Sequence, residues 1–260
     1  IILKNLGKIK KAELYLRKAI ELKPDFANAH SNLGNILRDT GNLKEAELSL
    51  RIAIELQPNS AEAYNNLGSI LKDIGNLKEA ELCTKKAINI SPDYAMAHYN
   101  LGNILLDSSA LKQAALCTKK AVKIQPNFAE AYNNLGLIYQ GLGKLNEAEL
   151  NLKKAIELRP DYAIAYSNLG NILTELGKYN EAIKFYNDGI KFDPSLSNAK
   201  WGVITSKGHI CDWSNQETEK KWLETLGIKG KATNPWNFLF LEDNPINHLK
   251  RSQNYYKENF

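Results

Sequence analysis

Five asparagines, Asn32, Asn66, Asn100, Asn134 and Asn168, follow one another at intervals of 34 residues. A carboxamide carries donors and an acceptor together, so it can pair with a peptide group as another peptide group would. Such a row is suited to gripping a polypeptide backbone, not to moving protons. Asn35, Asn103 and Asn171 repeat the same chemistry one helical turn later in three of the five places. An extended strand advances about 3.3 Å per residue and packed helices lie about 8–10 Å apart. If each asparagine stands on its own helix, one rung meets about every third residue of a bound strand, whatever its sequence. These eight residues form the candidate site.

Other chemistry-bearing residues do not assemble. Cys83 and Cys117 are themselves 34 residues apart, and Cys211 stands alone. They make neither a disulfide framework nor a metal motif, and they read as small, half-buried side chains. A reducing compartment fits this usage, so a cytoplasmic location is expected. His30 and His98 alternate with Tyr64, Tyr132 and Tyr166 at one repeated position, as packing residues do. His209 lies two residues from Cys211, but a nucleophile–base pair needs a third group to orient it, and none is identifiable. There is no Gly-rich phosphate loop and no His-Glu-x-x-His pair. The sequence predicts no catalytic residue, metal or cofactor within these residues.

The elements that carry the asparagines follow from the same interval. Segments beginning at Ala27, Ala61, Ala95, Ala129 and Ala163 align without gaps, and residues 1–26 fit as the end of an earlier one. Positions are numbered here from each of those alanines. Position 7–8 is a Leu-Gly pair (Leu33-Gly34, Leu67-Gly68, Leu101-Gly102, Leu135-Gly136, Leu169-Gly170). Position 20 is alanine (Ala46, Ala80, Ala114, Ala148, Ala182), and Pro58, Pro92, Pro126, Pro160 and Pro194 close each segment, as Pro24 closes the first. Glycine at position 8 and alanine at position 20 remove bulk where two helices cross. Each buried leucine contributes roughly 1.5–3 kcal/mol. Gly41, Gly75, Gly143 and Gly177 at position 15 suit the left-handed conformation that ends a helix. Ser109 takes that place in the third segment, which predicts a slightly strained turn. Proline then stops the second helix, and Asn59, Asp93, Asn127 and Asp161 are expected to cap the next.

This pattern resembles the tetratricopeptide repeat, a 34-residue helix–turn–helix unit. The resemblance implies an all-α fold: a right-handed α-solenoid with a helical cap at its C-terminal end. It divides the chain into 1–26, the end of a repeat; 27–196, five complete repeats; and 197–260, a helical capping or linker region. It also implies that positions 2, 5, 6, 9, 12 and 13 of each first helix face a concave groove, with the eight asparagines among them. The function implied is a scaffold that binds an extended peptide or protein segment. Solenoid ends can stack, so homodimerisation through them is open.

Charge narrows the partner. The chain carries a formal +5. The presumed groove carries Arg38 and Lys72 against Asp39, Glu62, Asp73, Asp107, Glu130 and Glu175, two positive and six negative. The excess lysine lies on the second helices, as in Lys85-Lys86, Lys119-Lys120 and Lys153-Lys154. An acidic groove repels phosphate backbones, so no nucleic-acid partner is expected. It also lacks the inward Lys and Arg set by which some repeats of this family hold a C-terminal carboxylate. An uncharged or mildly basic segment is the expected ligand. No apolar run approaches the roughly 18 residues of a membrane span, and no membrane partner is expected.

After the fifth repeat the Leu-Gly pair becomes Val203-Ile204. Ser214-Asn215-Gln216-Glu217 reads as a capping box opening a helix toward Leu226. Trp213, Trp222 and Trp236 suggest a packed cap, residues 234–241 an extended stretch, and Asp243-Asn244-Pro245 the start of a helix to about Glu258. Cys211-Asp212-Trp213, with Asn234-Pro235-Trp236 through Asn244-Pro245, resembles the link into the catalytic region of O-linked N-acetylglucosamine transferases. That resemblance implies an alternative: the substrate-recruiting N-terminal part of a glycosyltransferase whose catalytic domain lies outside these residues. The chain begins with Ile1, not Met, and is read as a piece of a longer protein. No catalytic residue carries over.

Overall fold

The computed structural model describes residues 6–212, 221–223, 228 and 245–259. It divides into two compact units, Ile1–Ala131 and Tyr132–Phe260. In the first, α1 (Leu6–Leu22) precedes three helix pairs: α2 (Ala27–Asp39) with α3 (Leu43–Leu56), α4 (Ala61–Ile74) with α5 (Leu77–Ile90), and α6 (Ala95–Asp107) with α7 (Leu111–Ile124). Each pair packs on the next, α3 on α4 and α5 on α6. Helix α8 (Ala129–Gly141) begins at the unit boundary. The second unit continues with α9 (Leu145–Leu158), α10 (Ala163–Glu175), α11 (Tyr179–Phe192), α12 (Ser197–His209) and α13 (Pro245–Asn259). No strand occurs among the described residues.

The small residues do what their spacing predicts. All five position-20 alanines are fully buried. Position 24 of the second helix lies over the position-8 glycine of the first. A Cβ added to Gly34 would fall 2.8 Å from Leu50 Cγ, and one added to Gly136 2.5 Å from Leu152 Cγ. At Gly68 and Gly102 it would collide with the Oγ1 of Thr84 and Thr118. Those hydroxyls donate to Ala80 O at 2.8 Å and Ala114 O at 2.9 Å, so the buried threonines are satisfied within their own helices. Each pair alone leaves an apolar face uncovered, and stacking closes it. Leu33, Leu37, Leu50, Leu67, Ile70, Leu71 and Ile104 form one cluster spanning three pairs.

Between the helices of a pair, Gly75 adopts φ 90°. Ser109 holds the same place at φ 59° with a side chain. A left-handed conformation costs an L-residue about 1–2 kcal/mol, offset by the greater freedom glycine loses on folding, about 0.5–1 kcal/mol. Ser109→Gly is therefore expected to stabilise unit 1 by about 0.5–1 kcal/mol, read as a higher urea midpoint. A lower midpoint would show that the serine side chain contributes to the turn.

Between pairs, the expected caps are not caps. The backbone N–H groups of Phe26, Ser60, Tyr94, Phe128 and Tyr162 donate to the carbonyls of Lys23, Gln57, Ser91, Gln125 and Arg159, three residues back. Proline is the second residue of this β-turn, the place its fixed φ suits. Asn59, Asp93, Asn127 and Asp161 are thereby the third, one residue short of the N-cap. The N-cap falls on Ser60, whose Oγ accepts from Ala63 N, but on Tyr94 and Tyr162 elsewhere, without a side-chain cap. The turn is tied down from the other side. His30 Nε2 and His98 Nε2 each lie 2.9 Å from the carbonyl oxygen of Pro24 and Pro92, and Tyr166 OH donates to that of Pro160 at 3.0 Å. In these three repeats position 4 thus anchors the turn as well as packing.

The sixth first-type helix, α12, keeps its place although its Leu-Gly pair is gone. It packs on α10 and α11. Gly202, two places before Ile204, now makes the close approach: a Cβ there would fall 2.5 Å from Tyr186 Cε1. Ile204 is freed to pack against Trp201, Trp222 and Leu223. The capping box, Trp213, Trp236 and residues 234–241 lie outside the described residues. The last helix runs to Asn259, one residue past expectation.

Candidate functional site

In unit 1 the helices α2, α4 and α6 line a cleft of about 470 Å³. Asn65, Asn66 and Ser69 reach it from α4, and Asn100, Asn103 and Ile104 from α6. Arg38 and Lys72 stand at one side, with Tyr94, Met96 and Tyr99 at another. The wall is thus made of amides, a hydroxyl, two cations and an apolar and aromatic edge.

The asparagines are not equivalent. Asn100 donates from Nδ2 to Asn65 Oδ1 at 2.9 Å and to Ser69 Oγ at 3.0 Å. Asn65 is only 2% exposed. In unit 2, Asn168 Nδ2 donates to Asn133 Oδ1 at 2.9 Å, and Asn133 is 4% exposed. At these two junctions position 6 of one repeat is therefore sewn to position 5 of the repeat before. Asn65, Asn133 and Ser69 were absent from the sequence-derived site. Their signal is an offset of 35 residues for the two asparagines and 31 for the serine, visible only once neighbouring repeats are laid side by side. Asn66, half-buried in the cleft, makes no side-chain hydrogen bond, nor do Asn32 and Asn35. Asn134 Oδ1 accepts from Asn133 Nδ2 at 3.4 Å. Asn171 Oδ1 accepts from Tyr186 OH at 2.7 Å. Asn103 lines the cleft beside Asn100.

The division predicts distinct outcomes. Asn100→Ala strips the buried Asn65 carbonyl of its donor and is expected to cost about 1–3 kcal/mol of stability. Asn66→Ala removes no such bond and is expected to leave the urea midpoint unchanged. Equal midpoints for the two variants would refute the sewing role.

Family models describe this sequence in matching terms. Models described as tetratricopeptide repeat match residues 1–26, 15–47 and 127–195, and one described as TPR repeat matches 34–75, 68–109 and 102–143. The chain is a tetratricopeptide-repeat protein. Among solved structures it is similar to YrrB, a tetratricopeptide-repeat protein described as having an unusual peptide-binding site. That likeness has 26% identity over 71% of this chain and 95% of that one, with a TM-score of 0.54. It is also similar to MamA, at 25% identity over 62% and 95%, with a TM-score of 0.55. The pilF protein of Pseudomonas aeruginosa, at 19% identity over 89% and 97% with a TM-score of 0.69, shares the fold. A comparison with curated proteins finds no match in sequence.

In this tetratricopeptide-repeat protein the inward charges pair along the array. Arg38 Nε donates to Asp73 Oδ2 at 2.7 Å, and Lys72 Nζ lies 3.3 Å from Asp107 Oδ2. In unit 2 Gln140 Nε2 donates to Glu175 at the same offset. Position 12 of one repeat thus holds position 13 of the next. Being exposed, each pair contributes about 0.2–1 kcal/mol. The groove keeps its acidic excess through Asp39 and Glu62, which make no ion pair, but the cleft wall itself holds two cations and no carboxylate. Both of those cations are paired to carboxylates, Asp73 and Asp107.

The other chemistry-bearing residues lie apart from this cleft. Burial raises the Cys83 thiol to about 11 and pushes Cys117 up as well, away from the thiolate form that reacts. His209 stacks on Tyr179 with ring centroids 4.5 Å apart, while Cys211 is exposed at φ 53°. Among the described residues no group of three or more His, Cys, Asp or Glu could hold a metal ion. No described helix is long and apolar enough to cross a membrane.

Proposed function

We propose that this protein is an interaction scaffold, and that its unit 1 cleft holds an extended segment of a partner protein through hydrogen bonds to the backbone. The observation that supports this most is Asn66: a half-buried amide in a cleft of about 470 Å³, with neither its donor nor its acceptor engaged. Asn100 spends both Nδ2 hydrogens on the neighbouring repeat and offers its carbonyl oxygen, and Asn103 completes the row. Tyr94, Met96 and Tyr99 supply an apolar edge for one side chain of the segment. Arg38 and Lys72 are already paired to carboxylates, so the ligand is expected to be uncharged at its centre. In unit 2, Asn134, Asn168 and Asn171 take the equivalent positions, with Asn32 and Asn35 before the cleft. The peptide-binding site described for YrrB supports the reading by likeness. The recruiting-arm alternative is carried by the motif at 211–213 and 234–245, whereas the matched models cover residues within 1–195.

Display of random 12-residue peptides tests this. Peptides enriched on the wild-type protein should bind Asn66→Ala about tenfold more weakly, the loss of roughly one pair of hydrogen bonds. Enrichment no greater than on the Asn66→Ala variant would defeat the proposal.

A further inference from the structure

Position 22 of the second helix is leucine in successive repeats of unit 1: Leu14, Leu48, Leu82 and Leu116. It follows the buried position 20 by two residues, or about 200° of helix, and so points away from the core. These leucines are 51%, 59%, 68% and 72% exposed. Single exposed leucines need no explanation, but four in register do.

Two further observations frame the row. The lysines one turn before, Lys10, Lys44, Lys78 and Lys112, and one turn after, Lys18, Lys86 and Lys120, are exposed and make no ion pair. The acids closest to the row are already neutralised: Glu13 and Glu45 by Arg17, Glu47 and Glu79 by Arg51, and Glu81 by Lys85. The Arg17–Glu45 and Arg51–Glu79 pairs, at 2.7 and 2.6 Å, cross from one second helix to the next within a turn of each leucine. They hold adjacent leucines in line.

We infer that this face docks an acidic amphipathic helix of a partner protein, its apolar stripe on the leucine row and its carboxylates against the free lysines. Spacing favours a helix lying across the row. Successive second helices are bridged by single arginine–glutamate pairs, so an apolar residue recurring every two turns, about 10.8 Å of helix, can meet one leucine per repeat. Charge favours a protein over an anionic bilayer. Glu21 and Glu55, exposed and seven residues after Leu14 and Leu48, share their face; a partner helix can set a basic or neutral side chain opposite each, whereas a sheet of lipid phosphates cannot. The face is separate from the cleft, so either site can fail without the other.

The probe is a 28-residue helical peptide with leucine at every seventh position and glutamate flanking each. It is titrated by fluorescence anisotropy against the wild-type protein, Leu48→Ser/Leu82→Ser and Asn66→Ala. The expected result is saturable binding that weakens at least tenfold in the double leucine variant, is unchanged in Asn66→Ala, and falls steeply between 50 and 200 mM salt. Leu48 and Leu82 are exposed, so the variant is expected to keep the wild-type urea midpoint. No binding, binding indifferent to the leucine variant, or tighter association with phosphatidylserine vesicles than with the peptide would overturn the inference.

Discussion

Replacing Tyr186 by alanine is expected to destabilise unit 2 by about 3–5 kcal/mol, the cost of emptying a large aromatic site. Tyr186 is 2% exposed and fills the space between two glycines on different helices. A Cβ on Gly170 would fall 2.5 Å from its Cε1, and one on Gly202 the same distance from the same atom. The ring is thus the packing element that lets α12 follow α10 without a Leu-Gly pair. Its hydroxyl donates to Asn171 Oδ1 at 2.7 Å and lies 3.3 Å from Thr174 Oγ1, which in turn lies 3.2 Å from buried Ser206 Oγ. Tyr186→Phe separates the two contributions. It keeps the ring and is expected to cost only about 1–2 kcal/mol for the lost hydrogen bond. Urea unfolding followed by tryptophan fluorescence reads both through Trp201, one residue from Gly202. Equal losses in the two variants would move the weight from the ring to the hydroxyl.

The second large effect is expected at Gly68. Alanine is the better helix former by about 1 kcal/mol, yet Gly68→Ala is expected to destabilise unit 1 by about 1–3 kcal/mol net, as overpacked cores do. The added methyl would strike Thr84 Oγ1 and stand 3.1 Å from the Ala80 carbonyl oxygen. The hydroxyl can be removed but the backbone carbonyl cannot. Thr84→Ala in the Gly68→Ala background should therefore recover part of the loss and not all of it. Full recovery would show that the two helices can move apart without cost. No loss in the single variant would contradict the close crossing itself.

The tight crossing at Gly68 and the fully buried alanine at Ala80 were legible in the sequence, because each answers a constraint inside one repeat. So was the strained turn at Ser109, where a side chain replaces glycine at a left-handed position. What the sequence hid was one repeat's relation to the next. Asn100 reaching Asn65, Arg38 reaching Asp73 and Arg51 reaching Glu79 all depend on the offset between stacked helices, which a single-repeat pattern does not contain. The capping misreading of Asp93 and Asp161 has a different origin. Asp after Pro satisfies both a cap and the third place of a β-turn, and the chain geometry after proline selects the turn. At the C-terminal end, Gly202 makes the close approach two residues before Ile204, out of register with the Leu-Gly signature, so the pattern fails at Val203-Ile204 although the helix persists.

The proposed grip on backbone rests on the Asn66 amide and the Asn100 carbonyl, which the repeat-to-repeat stitching leaves unengaged. Titration calorimetry of the most strongly enriched peptide against wild type and Asn66→Ala tests it most directly, alongside their urea midpoints. An affinity about tenfold lower in Asn66→Ala at an unchanged midpoint is the predicted result. An unchanged affinity at an unchanged midpoint would contradict it.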